Sequence, residues 1–250
     1  MRLDSYLVEK GYFESRNKAQ AEIKNGNVLV DGIKILKPSF DVSDSKIEIL
    51  DKLKYVSRGG LKLEEAIKSF NLDFNDKIIL DIGSSTGGFT DCSIKSGAKL
   101  VVSVDVGSNQ LYESLRNNPK IEVHENTNIL DFETNHVFDF IVMDVSFVSI
   151  EYLIDGIMKF VNDNNSFITL IKPQFEIGNI HIKNGIVKNR NDYLRILNNI
   201  DLCLKNYNLG IDKLILSPIL GGDGNKEFLA LIKKNIKTKI NFLSFLENNI

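Results

Sequence analysis

The chain has 250 residues, 31 Lys and Arg against 33 Asp and Glu for a formal net charge of −2, with 43% hydrophobic and 26% charged residues. These proportions belong to a folded globular protein with room for one full α/β domain and a small extra module, and they exclude a disordered or collagen-like chain. A net charge so close to zero gives no global attraction to a polyanion, so any nucleic-acid contact has to be a local basic surface.

The first elements read as two short helices and a small sheet. Leu3, Tyr6, Leu7 and Val8 cluster on one helical side before Gly11; Ser15 then caps a second helix whose apolar positions are Ala19 and Ile23, and Gly26 ends it. Val28-Leu29-Val30, the Asp31-Gly32 turn and Ile33-Lys34-Ile35 predict a hairpin, and a third strand is expected over Lys46 to Leu50. The first sixty residues carry eleven Lys and Arg against nine Asp and Glu, whereas the remainder carries twenty against twenty-four, so the basic side is N-terminal. The pattern Arg2-Leu3-Asp4, Ser15-Arg16 and Gly26-x-Val28-x-Val30-x-Gly32 resembles the αL RNA-binding module named after the fourth protein of the small ribosomal subunit. That resemblance implies RNA contact through Arg16, Lys18 and Lys24, with Arg2 nearby; solvated charge on an amphipathic helix is the alternative.

Lys52 to Gly60 is polar and reads as a hinge that divides residues 1–56 from 57–250. Leu61, Leu63, Ala66, Ile67 and Phe70 then recur at helical spacing and leave Lys62 on another azimuth. Next comes the most informative stretch, Lys77 to Gly107: the apolar run Ile78-Ile79-Leu80 ends in Asp81, breaks into Gly83-Ser84-Ser85-Thr86-Gly87-Gly88, enters a helix with Phe89, and a second apolar run, Leu100 to Val104, closes on Asp105. Glycines in such a turn permit positive φ and a close ligand approach to backbone N–H groups, and an acidic residue at the next strand tip is placed to accept from ribose hydroxyls. A dinucleotide fingerprint fails because Ser85 stands where its second glycine is required, and no Gly-Lys-Ser/Thr follows for a P-loop. The remaining pattern, Asp81-x-Gly83-x-x-x-Gly87-Gly88, resembles the first motif of S-adenosylmethionine (SAM) dependent methyltransferases.

Further along, strands are expected at Ile121–His124, Phe138–Val145, Phe167–Ile171, Lys213–Ser217 and Glu227–Ile232, with helices over Ile150–Val161 and Asn191–Tyr207; Lys233 to Ile250 is a docked helix or a frayed tail. Alternating strands and helices mean an α/β fold with a doubly wound, mostly parallel, seven-stranded sheet and ligands at the carboxyl ends of its strands.

The acceptor leaves marks of its own. An exocyclic amine goes with Asn/Asp-Pro-Pro-Tyr/Phe after the fourth strand, where this chain has Asp144-Val145-Ser146-Phe147, and cytosine carbon methylation needs a thiolate that neither Cys92 nor Cys203 can place at a strand end. A ribose hydroxyl is a weak acid and needs a base, for which Lys172, at the end of the fifth strand, is the candidate. Such a base must shed its own proton first, which desolvation and a second ammonium nearby, for which Lys62 is the candidate, both favour and a carboxylate placed too near opposes, so the sequence leaves the net direction open.

Five motifs in order, Ser57-Arg58-Gly59-Gly60-Leu61-Lys62-Leu63, Asp81-Ile82-Gly83 through Phe89-Thr90-Asp91, Asp144-Val145-Ser146-Phe147, Leu170-Ile171-Lys172-Pro173-Gln174-Phe175-Glu176 and Gly224-Asn225-x-Glu227-Phe228, resemble the TlyA, or haemolysin-A-type, rRNA methyltransferases along nearly the whole chain. The resemblance implies ribose 2′-O-methylation, with cytidine the expected target, by a tetrad that falls on Lys62, Asp144, Lys172 and Glu227. It also implies SAM as cofactor, held by Asp81, Gly83, Ser84, Gly87, Gly88, Phe89, Asp105 and Asn128; ribosomal RNA or ribosomal subunits as partner, touched by Arg2, Arg16, Lys18, Lys24 and Arg58; and no metal. Asn179 to Lys188 departs from it, being rich in Asn and Lys where glycine is expected.

Two rival readings stand beside this one. The family name records a haemolytic association, and a membrane-active protein would need a secretion route with an apolar span or a strongly amphipathic segment, for which Lys233–Ile250 is the sole hint. An RNA-binding protein with an inactive methyltransferase fold is the other, against which the complete tetrad speaks. No run of about twenty apolar residues occurs, the first residues read as an amphipathic helix and not a secretory signal, and two cysteines with three scattered histidines, His124, His136 and His181, fit neither a disulfide framework nor a metal set. A cytoplasmic protein is expected.

Overall fold

The computed structural model describes residues 1–24, 26–49, 54–178, 185–222 and 224–250. Leu50, Lys52 and Leu53 of the expected third strand and hinge, His181, and most of the Asn179–Lys188 stretch lie outside these residues. The chain divides into two compact units, Met1–Lys54 and Tyr55–Ile250.

In the first unit, α1 (Leu3–Glu9) and α2 (Arg16–Lys24) cover a three-stranded sheet of order β2-β1-β3, where β1 is Val28–Val30, β2 Ile33–Lys34 and β3 Ile47–Ile49. The Ser15 hydroxyl accepts the Lys18 N–H at 3.3 Å, which satisfies one of the four donors left over at a helix start. Asp31 and Gly32 both have positive φ, 52° and 78°, and their twist matches that of the antiparallel pair Val30 and Ile33 which they join. Leu3, Leu7, Ala19, Ile23, Val28, Val30 and Val42 close the core of this unit.

The second unit holds a sheet of order β6-β5-β4-β7-β8-β10-β9. Its strands are β4 (Ile78–Ile82), β5 (Leu100–Val104), β6 (Ile121–His124), β7 (Phe140–Met143), β8 (Ser166–Ile171), β9 (Leu209–Leu216) and β10 (Phe228–Lys234). The first five run parallel; β10 is antiparallel to both β8 and β9. The expected doubly wound fold is therefore present, and, as expected from the strands placed at Lys213–Ser217 and Glu227–Ile232, β9 and β10 follow each other with no helix among the described residues between them. Successive strand residues point to opposite faces. Ile79, Val101, Val142, Ile168, Leu170 and Leu229 thus pack against α3 (Gly59–Phe70) and α4 (Gly88–Lys95), whereas Leu80, Val102, Ile141, Met143, Ile171 and Phe228 pack against α6 (Ile150–Met158) and α8 (Arg190–Asn206). Two short helices, α5 (Glu113–Arg116) and α7 (Pro173–Glu176), fill connections. The C-terminal segment is docked: α9 (Phe242–Asn249) buries Phe242 and Leu246, and Asn241 caps it by accepting the Ser244 N–H at 3.0 Å.

Candidate active site

Where β4 ends, the chain must turn toward α4 without blocking the strand ends. Gly83 has φ 78°, and a Cβ there would come 2.8 Å from Val145 Cγ1 and 2.9 Å from the Asp144 carbonyl oxygen, so the residue has to be glycine. At Gly88 a Cβ would stand 2.3 Å from Ser57 Oγ and 3.0 Å from Gly60 N, so its absence lets the N-termini of α3 and α4 converge. Gly87, with φ 96°, is needed for packing against Leu115.

Two adjoining cavities open at these strand ends. One, of about 350 Å³, is walled by Ile82, Val104, Val106, Ile129, Val145 and Leu153, with Asp105, Gln110, Thr127 and Asn128 among its polar groups. Asp105 accepts the Ser85 N–H on Oδ2 and the Gly107 N–H on Oδ1, both at 2.7 Å, and is held rigidly at the cavity wall. Asn128 is fixed by accepting the Leu130 N–H at 3.0 Å. An apolar slot with a fixed carboxylate fits a nucleoside: the slot suits the base, and Asp105 suits vicinal hydroxyls. The second cavity, about 260 Å³, is lined by Ser57, Arg58, Lys62, Ser84, Phe89 and Lys172, among others, and shares Gly83, Ser85, Asp144 and Ser146 with the first.

Asp81 lies elsewhere. It is fully buried within β4 and lines neither cavity; its Oδ2 accepts the Thr90 hydroxyl at 2.5 Å. Position explains this, since Asp81 alternates with Leu80 and Ile82 and so faces α4 and not the strand tip. Burial pushes its carboxyl up to about 7 against the Thr90 hydrogen bond, and the charges of Asp144 and Asp105 add to the rise.

The second cavity gathers two lysine–carboxylate pairs. Lys62, in the first turns of α3, meets Glu227 at 2.6 Å, with side chains 10% and 2% exposed. Lys172, just beyond β8, stands 2.6 Å from Asp144 Oδ1, just beyond β7, and donates to Ser146 Oγ at 2.8 Å. All four tetrad residues predicted from sequence are thus brought together. Gly221 makes room for Glu227, because a Cβ there would lie 2.4 Å from Oε1. Arg58 donates to the Leu220 carbonyl at 2.8 Å and borders the same cavity.

Several positioning side chains have roles that sequence reasoning does not assign. Glu125 accepts the backbone N–H groups of Asn109, Gln110 and Leu111 and pairs with Arg116 at 2.7 Å, which fixes the segment after Asp105. The Arg116 guanidinium and these N–H groups hold its carboxyl down to about 2. Glu176 accepts the Ile150 N–H at 3.0 Å and so ties α7 to the start of α6; burial pushes its carboxyl up to about 7. Buried Asn225 accepts the Val187 N–H at 2.9 Å and donates to Gly185 O at 2.8 Å. Glu176 and Asn225 stand inside motifs that carry the family resemblance but receive no role from it, and nothing in its spacing marks Glu125.

In the first unit, buried Asp4 binds Arg2 through Nε at 3.0 Å and Nη2 at 2.9 Å, Arg16 at 3.1 Å and Gln20 at 2.6 Å. The hydrogen bond from Arg2 holds the Asp4 carboxyl well below the usual range. Both guanidiniums stay about half exposed, at 50% and 54%. Lys18 pairs with Glu14, and Lys24 is exposed in the last turn of α2. Among the described residues no helix is long and apolar enough to cross a membrane, and no three His, Cys, Asp or Glu side chains converge in a metal-holding arrangement.

Known proteins share this architecture. The FtsJ-like methyltransferase profile matches residues 55–234 and the S4 domain profile residues 1–46. Hemolysin A of Brachyspira hyodysenteriae is 45% identical over 92% of this chain and 98% of its own. The 23S rRNA (cytidine-2′-O)-methyltransferase TlyA of Campylobacter jejuni is 35% identical over 94% of this chain and 100% of its own. A solved structure from Streptococcus thermophilus, designated a hemolysin, is 36% identical and superposes with a TM-score of 0.79 over 99% of this chain and 94% of that one. With an S4 domain ahead of a matched methyltransferase domain and such relatives along its whole length, the chain belongs to the TlyA, or haemolysin-A-type, family of FtsJ-like methyltransferases.

Proposed function

We propose that the chain methylates the 2′-hydroxyl of a ribose, in cytidine, within ribosomal RNA, with SAM as methyl donor. The observation that carries this reading is the pair of lysine–carboxylate couples around one cavity that shares the wall of Gly83, Asp144 and Ser146 with a nucleoside-sized slot. When bound, SAM supplies an electrophilic methyl group on a sulfonium. In this reading Asp105 accepts from the ribose hydroxyls of the cofactor, Asn128 borders its base, and Gly83, Ser84, Gly88 and Phe89 form the turn beneath it. Asp81 and Gly87 support that turn from behind.

The chain then has two tasks, alignment and proton removal. Lys172 is the base that takes the 2′-hydroxyl proton onto Nζ. Asp144, 2.6 Å away, holds the resulting ammonium. Because the same carboxylate also favours the charged lysine at rest, Lys172 must first give its own proton to solvent, a step that the Lys62 ammonium lining the same cavity favours. Lys62, oriented by Glu227, supplies positive charge toward the developing alkoxide. Arg2, Arg16, Lys18 and Lys24 contact RNA phosphates, and Arg58 contacts the RNA at the cavity rim.

The test is direct. Purified protein incubated with ribosomal subunits and isotopically labelled SAM is expected to place label on ribose, detected as a nuclease-resistant 2′-O-methyl dinucleotide. Label on a base would overturn the acceptor assignment.

A further inference from the structure

Lys172 has two neighbours of different kinds. Asp144 Oδ1 lies 2.6 Å from Nζ but without the alignment of a hydrogen bond, whereas Ser146 Oγ accepts a directed one at 2.8 Å. Asp144 therefore supplies charge, and Ser146 supplies direction.

Direction matters for a lysine base because a neutral amine keeps two N–H bonds and one lone pair, and only the lone pair can take a proton. With one N–H fixed on Ser146 Oγ, the amino group can no longer rotate freely, and the remaining N–H and the lone pair are confined to the other two positions at the edge of the cavity that Lys172, Ser146 and Asp144 all line. We propose that Ser146 is a positioning residue for the methyl-transfer reaction, its hydroxyl oxygen setting the rotation of the Lys172 amino group so that the lone pair faces the substrate hydroxyl. This rests on the reading of Lys172 as base.

The segment that follows Ser146 lies against α7, the helix that begins directly after Lys172. Phe147, the neighbour of Ser146, sits at φ 66°, a left-handed conformation that is uncommon for a bulky residue. Its exposed ring lies 4.9 Å from that of Phe175, and three residues further on the Ile150 N–H donates to Glu176 at 3.0 Å. Ser146 itself is exposed, so replacing it should leave the fold unchanged.

The experiment uses the full chain with Ser146→Ala and Ser146→Thr, in wild-type and Lys172→Met backgrounds, and measures SAM affinity by calorimetry and kcat and KM on ribosomal subunits. Ser146→Ala is expected to lower kcat about tenfold, the share of one directed hydrogen bond, with KM and SAM affinity within about twofold. Ser146→Thr keeps the hydroxyl and should recover most of the rate. In the Lys172→Met background Ser146→Ala should cost nothing further, because its effect runs through the missing amine. A native kcat in Ser146→Ala, a matching loss of SAM affinity, or an undiminished penalty in the Lys172→Met background would each overturn the proposal. A native rate in Lys172→Met alone would instead overturn the base assignment beneath it.

Discussion

Lys62 and Glu227 stand 165 residues apart in the chain and meet at 2.6 Å with both side chains almost out of solvent. A pair so placed is costly to break, because the remaining charge has neither water nor partner. Lys62→Met is expected to destabilise the protein by about 3 to 5 kcal/mol in urea unfolding, and Lys62→Met with Glu227→Leu should regain most of that loss. A loss below about 1 kcal/mol for the single variant would mean that water reaches the pair. Because stability and turnover are entangled at Lys62, it is a poor residue for isolating the chemistry.

Asp105→Ala should weaken SAM binding roughly ten- to a hundredfold, since hydrogen bonds to a charged group contribute about 1.5 to 3 kcal/mol. The structure adds a second consequence: the Ser85 and Gly107 N–H groups lose their acceptor, so Asp105→Asn, which keeps one oxygen, should fall between. Calorimetric titration of folded variants measures both, and native affinity in Asp105→Ala would remove Asp105 from the cofactor site.

Much of this was legible in the sequence. Buried parallel strands appear as unbroken apolar runs such as Ile78-Ile79-Leu80, and the Asp31-Gly32 dipeptide specifies its turn chemically. The tetrad was legible as four motifs, although only the fold brings Lys62 to Glu227. What the sequence concealed is which way each side chain faces. Asp81 and Asp105 look alike as acids ending apolar runs, yet Asp81 is the fourth residue of β4 and faces α4, while Asp105 follows β5 and lies free of the strand. Glu125 and Glu176 act by accepting backbone N–H groups, a role that leaves no spacing pattern.

Asp81 and Glu176 make a pH prediction with a definite sign. Both carboxyls are raised to about 7 by burial, so the folded state holds their protons more tightly than the unfolded chain does. Their contribution to stability is complete below about pH 4 and is lost as pH rises through about 7. In thermal melts of the ligand-free protein, Tm should fall between pH 5 and 8, and Asp81→Asn should flatten that fall by an amount on the order of a few kcal/mol at most. An unchanged slope in Asp81→Asn would show that this carboxyl does not titrate in that range.

For the N-terminal unit, removing residues 1–54 keeps Tyr55, which is buried in the core of the second unit, and should leave SAM affinity near native while abolishing methylation of ribosomal subunits. Neutralising Arg16, Lys18 and Lys24 together in the full chain should reduce the slope of log affinity against log salt by about 0.7 to 0.9 for each phosphate that the variant no longer neutralises. An unchanged slope would mean that these charges are only solvated.

Lys172→Met tests the central claim most directly, since methionine keeps roughly the length and apolar stem of lysine but cannot accept a proton. SAM and RNA affinities should hold while single-turnover methylation of ribosomal subunits falls on the order of a hundredfold or more, the usual share of a general base. Methylation at the native rate would contradict the account, because the 2′-hydroxyl would then lose its proton to something other than Lys172.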